Sequence, residues 1–380
     1  MAYASADFLH ARHGRLRQAL RDAGLDGLVV TCLPNIFYLT NFGGSAAILV
    51  ITADRLRFIT DFRYVTAVES ARAAGTGPPD LELVRVESGY DETLVALLKE
   101  MPGSRVGFEA AHLPVSRHGW LLGALGTGAC TLVPTEELVE TQRVCKDAHE
   151  RETLRIAAAM LSGATPDILG EVRAGRTERD VAAAVDWRIR QAGFARPAFE
   201  TIVASGPNGA LPHARPGDRT LTAGDLVVLD FGGVYDGYCV DLTRMASLGS
   251  PGPEGRRVYD AVAEANAAGV AAVAPGVSRF AIDAAARETL GRHGLAEYFG
   301  HGTGHGLGID VHERPRISKR PAAAAPPGAD AEAVDEHMVF TIEPGAYLPG
   351  RLGVRIEDDV LVTASGVEVL TTVSRDLALR

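Results

Sequence analysis

The sequence predicts an α/β chain of two domains, and three observations carry that prediction. The first is length: 380 residues at roughly 150 per domain make two domains, or three. The second is an alternation of short apolar strands with helical stretches over residues 13–100, the mark of an α/β layer arrangement. The third is a change of pattern after Gly193, where short apolar strands carry single acidic or histidine residues near their ends. The boundary is expected near residue 145, giving domains 1–145 and 146–380.

Each element follows from local signals. Leu16 and Leu20 repeat at helical spacing in His13–Ala23, which ends at Gly24. Gly27–Cys32 reads as a buried strand. Ala46–Thr52 and Arg57–Thr60 read as strands paired around Ala53–Asp54, and Thr66–Ala74 and Thr93–Glu100 as helices. Asp147–Met160 is a charged, then alanine-rich helix. A further helix spans Glu178–Gln191, with Thr177 as N-cap, Asp180 in its first turn and Gly193 as its stop. Pro321–Gly328 is low in complexity and reads as a surface loop.

Composition excludes several functions. Hydrophobic residues make up 46% and charged residues 23%, ordinary for a soluble globular protein. The net charge of −10 argues against nucleic acid or an anionic membrane as partner, since both need a basic surface. Apolar runs such as Ala261–Ala274 fall short of the roughly 20 residues of a membrane span. The N-terminus lacks the uninterrupted apolar stretch of a secretory signal. Cys32, Cys130, Cys145 and Cys239 are too scattered for a disulfide framework, so a reducing cytoplasm is expected.

The chemistry concentrates in the second domain. Leu226–Phe231 is an apolar strand with Asp230 near its end, and Asp236-Gly237 is a tight-hairpin signal. With those two as the turn pair, Tyr235 faces Tyr238, Gly232 faces Asp241 and Asp230 faces Thr243. Asp230 and Asp241 then become diagonal neighbours on one face, unless Gly232-Gly233 hosts a bulge. Two carboxylates on an apolar face repel unless a cation lies between them. Two readings are open: an arginine, Arg244 foremost, or a metal ion.

Glu343 closes the apolar strand Met338–Glu343. Gly353–Val362 alternates, with Arg355 and Glu357 on one face. Taken alone, each acid reads as a strand-end carboxylate in solvent; together with the aspartates they form a set. His301 and His305 sit in a glycine-dense run, and His312 follows. His213 lies in a loop seventeen residues before Asp230. Carboxylates with an imidazole suit manganese, cobalt, zinc or ferrous iron, and four carboxylates suit two ions sharing a water.

The segments LDFGGVYDGYCVDLTR, HGTGHGLGIDVHE, FTIEPGAY and GVRIEDD, in that order, resemble the metallopeptidase family of prolidase, aminopeptidase P and methionine aminopeptidase. NIFYLTNF and FITDFRY resemble the smaller N-terminal domain of prolidase, aminopeptidase P and creatinase. The resemblance implies a creatinase/prolidase-type α/β domain followed by a "pita-bread" catalytic domain. It implies Asp230, Asp241, His305, Glu343 and Glu357 as metal ligands, with Asp241 and Glu357 bridging. It implies two divalent ions, manganese foremost and cobalt or zinc as alternatives, and a bridging hydroxide that attacks the carbonyl before proline. Glu343 becomes the proton shuttle, and His213 and His312 bind the substrate and the developing oxyanion. Arg355 orients ligand carboxylates or forms a plain buried salt bridge; His301 joins the substrate-binding residues.

Arg316 follows His312 by four residues and matches an arginine that clamps the dipeptide's carboxylate in some prolidases. Arg314 competes for that position, and both could be loop arginines in solvent. The expected substrate is a peptide with proline second, cleaved by an Xaa-Pro dipeptidase. Aminopeptidase P is the runner-up, ahead of a non-catalytic binding protein or a creatinase-type hydrolase, both disfavoured by the intact ligand set. The stretch 321–334 reads as an insertion beside the substrate pocket, and a homodimer is expected from the resemblance.

Overall fold

Two β-systems, one in each half of the chain, organise the computed structural model, which describes residues 3–78, 80–321 and 332–380. The chain divides into two units, Met1–Arg143 and Val144–Arg380. Most of the Ala/Pro-rich stretch expected to be a loop, residues 322–331, lies outside the described residues.

The N-terminal unit is built on six strands: β1 Gly27–Val30, β2 Ile48–Thr52, β3 Leu56–Thr60, β4 Leu81–Arg85, β5 Arg105–Glu109 and β6 Thr131–Thr135. Their order is β4-β3-β2-β1-β5-β6. β1/β2 and β2/β3 pair antiparallel, the second through a short hairpin link and the first across the segment 31–47, and the crossover-connected pairs β3/β4, β1/β5 and β5/β6 are parallel. Val29, Val50, Ile59 and Val106 pack with Leu94, Leu98 and Leu121 in one core. The first helix, Ala6–Asp22, starts earlier than the sequence suggests, because Leu9 extends the buried stripe of Leu16 and Leu20. The first strand ends at Val30, two residues short of its expected end. A helix, Leu33–Thr40, begins there instead, with Pro34 in its first turn and Asn41 left-handed behind it.

The C-terminal unit opens with two helices, Ala148–Leu169 and Glu178–Gln191, each started by a reciprocal capping box: Asp147 with Glu150, and Thr177 with Asp180. Strands β7 Arg196–Pro197, β8 Ile202–Ser205, β9 Leu226–Tyr235 and β10 Tyr238–Ser247 follow. β9 and β10 pair in the expected register through all ten positions, with no bulge at Gly232-Gly233. Asp236 and Gly237 both have positive φ, as a tight hairpin turn requires.

The helices Gly252–Ala271 and Arg279–Arg292 come next, then β11 Gly304–Gly306, β12 Glu313–Ile317, β13 Val339–Ile342, β14 Gly345–Leu348, β15 Leu352–Arg355, β16 Asp358–Thr363, β17 Gly366–Val369 and β18 Ala378–Leu379. One sheet runs β18-β10-β9-β7 with β8 on β9, a second runs β12-β11-β13-β16-β17, and β14 pairs with β15 alone. Gly353–Val362 is therefore two strands in two sheets, correcting the single alternating strand expected there.

The site lies where one core face ends. Leu226, Val228 and Met245 share a hairpin face and pack with Val258 and Val262 of the helix Gly252–Ala271. Asp230, Gly232, Asp241 and Thr243 continue that same face. The opposite face packs against the two helices that open the unit.

Candidate metal centre

Asp230 and Asp241 are buried, at 9% and 4% exposure. Asp241 lies opposite Gly232, where a Cβ would run into the Phe199 ring and the Val240 carbonyl. Glycine there is a packing requirement. Glu357 occupies the break between β15 and β16, and its Oε2 accepts the Thr243 hydroxyl at 2.6 Å. Glu343 follows β13, held by its own N–H on the Thr303 carbonyl at 2.7 Å. His305, in the middle of β11, brings Nε2 to 3.5 Å from Glu343 and 3.9 Å from Asp241. Ligand atoms of Asp241, His305 and Glu357 all lie within 4.8 Å of one another.

The glycines around His305 serve β11 itself. A Cβ on Gly304 would run into the Thr341 carbonyl of the neighbouring β13. Their close approach is to adjacent strands, which lets His305 sit in the sheet with its ring facing the acids.

Burial and mutual repulsion shape the titration of the set. Burial, then Glu357 and Asp230, pushes the Asp241 carboxyl well up. Burial, then Glu343 and Asp230, does the same to Glu357. Burial pushes Glu343 up to about 8, with Arg355 opposing and Asp230 adding. Burial, then the His312 charge, lowers His305 to about 4, which keeps its imidazole neutral and able to ligate.

An arginine does meet Asp230, as one of the two readings held, but it is Arg355 and not Arg244. Arg355 bonds the Asp230 carboxylate through Nη2, Thr243 Oγ1 through Nε at 3.1 Å, and the Tyr347 hydroxyl through Nη1 at 2.8 Å. Arg244 alternates with Thr243 and so faces the other way. It bonds Asp358 and the Glu357 carbonyl, both at 2.6 Å.

Arg355 satisfies one oxygen of Asp230 and leaves the set short of positive charge. Asp230 Oδ1, Asp241 Oδ1 and Glu357 Oε1 are buried and, among the described residues, have no hydrogen-bond partner. Orphaned carboxylate oxygens are costly in a protein interior. Oxygen donors converging beside a neutral imidazole fit divalent cations of the manganese-to-zinc range.

The remaining expected residues gather at the same place. His301 Nε2 lies 2.9 Å from the Tyr347 hydroxyl, and burial, then the Arg355 charge, lowers its pKa to about 4. His312 meets His305 edge-on at 4.3 Å between ring centroids. His213 is solvent-exposed, yet its charge lowers the pKa of both His301 and His312. Arg316 pairs with His305 across β11 and β12, and its charge acts on His305 and His312. Of the two arginines considered, Arg316 is the one whose backbone lies opposite His305.

Three residues had no role assigned from sequence. Thr243 was placed on the right face, and its link to Glu357 needed the fold. Tyr347 couples His301 to Arg355. Asp359 accepts the Asp241 N–H at 3.0 Å, fixing the backbone that carries that carboxylate. Both stood inside the quoted motifs, FTIEPGAY and GVRIEDD.

Comparison with known proteins agrees with this geometry. Residues 151–364 match Metallopeptidase family M24, and residues 12–145 match the Creatinase/Prolidase N-terminal domain. The chain is 36% identical to a Bacillus subtilis protein called Uncharacterized peptidase YqhT, over 96% of this chain and 99% of that one. It is 39% identical to the Xaa-Pro dipeptidase of Pyrococcus furiosus over 242 residues, 64% of this chain and 67% of that one. Its structure resembles that of an Xaa-Pro dipeptidase from Bacillus anthracis, with a TM-score of 0.88 and 34% identity over 98% and 100% of the two chains. It also resembles an X-Pro aminopeptidase from Thermotoga maritima, with a TM-score of 0.83 and 32% identity over 96% and 100%. A buried carboxylate–imidazole centre in a chain with these relatives has one family reading: the protein belongs to metallopeptidase family M24, whose members work with divalent metal ions, and carries a creatinase/prolidase-type N-terminal domain.

Proposed function

We propose that this metallopeptidase is an Xaa-Pro dipeptidase, with Asp230, Asp241, His305, Glu343 and Glu357 holding two divalent ions, manganese foremost. The observation that carries the metal assignment is the convergence of Asp241, Glu357 and the neutral imidazole of His305 in a set whose carboxylates, with that of Asp230, keep orphaned buried oxygens. When bound, the ions supply a water of lowered pKa and polarise the scissile carbonyl. Glu343, beside the ions, would carry the proton from that water to the leaving nitrogen. His213 and His312 donate hydrogen bonds to the substrate and to the oxygen that gains charge. His301, Tyr347 and Arg355 form a chain of hydrogen bonds that keeps Asp230 in position.

Arg316 supports the dipeptide reading. Set across from His305, its guanidinium suits the free carboxylate of a C-terminal proline. The Thermotoga maritima aminopeptidase likeness keeps a second reading, cleavage of longer peptides, in play. No helix among the described residues is long and apolar enough to cross a membrane. A homodimer, expected from the family resemblance, is checked by sedimentation.

The test is proline release from Ala-Pro beside cleavage of Ala-Pro-Ala, by metal-stripped protein with manganese, cobalt or zinc restored. Metal-dependent cleavage of the dipeptide alone supports the proposal. Preference for the tripeptide makes the enzyme an aminopeptidase P. Cleavage of neither, with any metal, overturns both readings in favour of a binding role.

A further inference from the structure

A second group of potential metal ligands lies within the N-terminal unit. Cys32 precedes the helix Leu33–Thr40, His112 lies in the turn after β5, and Glu140 opens the helix Glu140–Val144. Their sulfur, nitrogen and oxygen atoms lie within 4.8 Å of one another. His112 Nε2 is 3.6 Å from Glu140 Oε1. Atoms bound to one tetrahedral ion at about 2.0–2.3 Å stand about 3.3–3.8 Å apart, so a movement of about 1 Å closes the group.

The surroundings are built to hold these three residues. Glu109 is buried; its Oε2 accepts the Cys32 N–H at 2.8 Å and the Thr31 N–H at 2.6 Å. Its Oε1 accepts Asn35 Nδ2 at 2.7 Å, and the same Nδ2 donates to Glu140 Oε1 at 2.7 Å. Arg143 fixes Asn35 from the other side, Nη1 donating to Oδ1 at 2.7 Å. The His112 N–H donates to the Glu109 carbonyl at 3.1 Å. Glu109, through its carboxylate and its backbone carbonyl, and the Asn35 amide thus hold the segments that carry all three side chains, the kind of outer support that orients ligands in metal sites.

A bland alternative is an inert thiol beside a surface ion pair. Burial and the nearby Glu109 and Glu140 do push the free Cys32 thiol up to about 12, which rules it out as a nucleophile in the metal-free state. A thiol so placed can simply fill the core and accept the Asn35 N–H; what sets it apart is the imidazole and the carboxylate that converge on it, where a cation would replace its proton.

We propose that Cys32, His112 and Glu140 bind a borderline divalent ion, zinc foremost, separately from the centre around Asp241. On binding, the Cys32 S–H bond breaks, the proton goes to solvent and a sulfur–metal bond forms. His112 and Glu140 keep 41% and 25% of their side chains exposed, which leaves room for a water as fourth ligand. A thiolate with an imidazole and a carboxylate favours zinc or cobalt over manganese or magnesium. The ion would tie together three separate segments of this unit, at residues 32, 112 and 140.

The test is a cobalt titration of the metal-stripped full-length chain, read by the thiolate-to-cobalt charge-transfer band in the near ultraviolet. The oxygen-and-imidazole centre around Asp241 cannot give that band. The wild-type protein is expected to show it, to saturate it at one equivalent of thiolate-bound cobalt, and to lose it when zinc is added. Cys32→Ser abolishes it, Asp241→Asn retains it, and His112→Ala weakens cobalt binding about tenfold or more. His112 is exposed, so its variant keeps the fold and the test stands even where Cys32→Ser does not fold. Absence of the band in wild type overturns the proposal, as does a band that survives Cys32→Ser or unchanged cobalt affinity in His112→Ala.

Discussion

Arg355 and Glu357 are separated by Ile356 alone and lie in different strand environments, yet both bond the hydroxyl of Thr243. Arg355 donates to it, and it donates on to Glu357. The chain leaves the β14–β15 pair after Arg355 and joins another sheet at Asp358, so Glu357 sits at the crossing. A hydroxyl that both accepts and donates there lets a guanidinium and a carboxylate share one anchor without meeting head-on.

Thr243→Val removes that anchor while keeping the shape of the side chain. Turnover, or affinity for the activating metal, falls by about ten- to a hundredfold, as for other outer partners of metal ligands. Thr243→Ser, which keeps the hydroxyl, stays within a few-fold of wild type. Equal losses in both variants would mean that the methyl group matters and the hydrogen bond does not.

Asp241→Asn separates function from stability. Peptide cleavage drops by about a hundredfold or more, since a ligand matters at least as much as its supporting partner. The metal-stripped variant melts higher than metal-stripped wild type near neutral pH, because burial and the Glu357 and Asp230 charges oppose ionisation at this position. A lower melting temperature would mean that the carboxylate is already compensated without metal.

The metal-stripped protein loses stability as pH rises from about 6.5 to about 8. Burial raises Glu343 from 4.5 to about 8, so the folded chain keeps a proton there that the unfolded chain has released. Stability from that proton is complete below about 4.5 and is lost as pH climbs through about 8. His301 and His305, lowered to about 4, act oppositely, but only as pH falls below 6.5. Above that, the carboxylates alone set the slope. Thermal melts with a chelator should show a falling midpoint over this range, flattened by saturating metal. A flat profile in chelator would contradict the burial argument.

Arg316→Ala raises KM for Ala-Pro by about tenfold or more, the usual worth of a charged hydrogen bond, and leaves cleavage of Ala-Pro-Ala unchanged. A tripeptide lacks the free carboxylate at that distance. A parallel loss on both substrates would assign Arg316 to the metal-binding strand pair and remove it from substrate recognition.

The hairpin that carries the aspartates was legible to the residue, because Asp236-Gly237 admits few turn geometries and period two does the rest. The same periodicity already placed Arg244 on the face away from Asp241, which the neutralising role expected of it overlooked. The change of sheet at Ile356–Glu357 was not legible, since apolar alternation marks faces and says nothing about which sheet a strand joins. The helix Leu33–Thr40 was hidden for a similar reason: a short apolar run reads equally as strand end or helix, and only Pro34 hinted at the latter. Tyr347 and Asp359 act through partners distant in sequence, and no local pattern reports such contacts.

The turn at Asp236-Gly237 behaves as a counter for the centre. One residue added there would reverse the parity of β10 and carry Asp241 and Thr243 to the face now held by Arg244, leaving Asp230 behind. The composition of those two positions can vary among residues that tolerate positive φ, while their number can change only where a bulge absorbs the extra residue. Single-residue insertions and deletions that no bulge absorbs should therefore be purged at this surface turn as strictly as substitutions of the buried acids themselves.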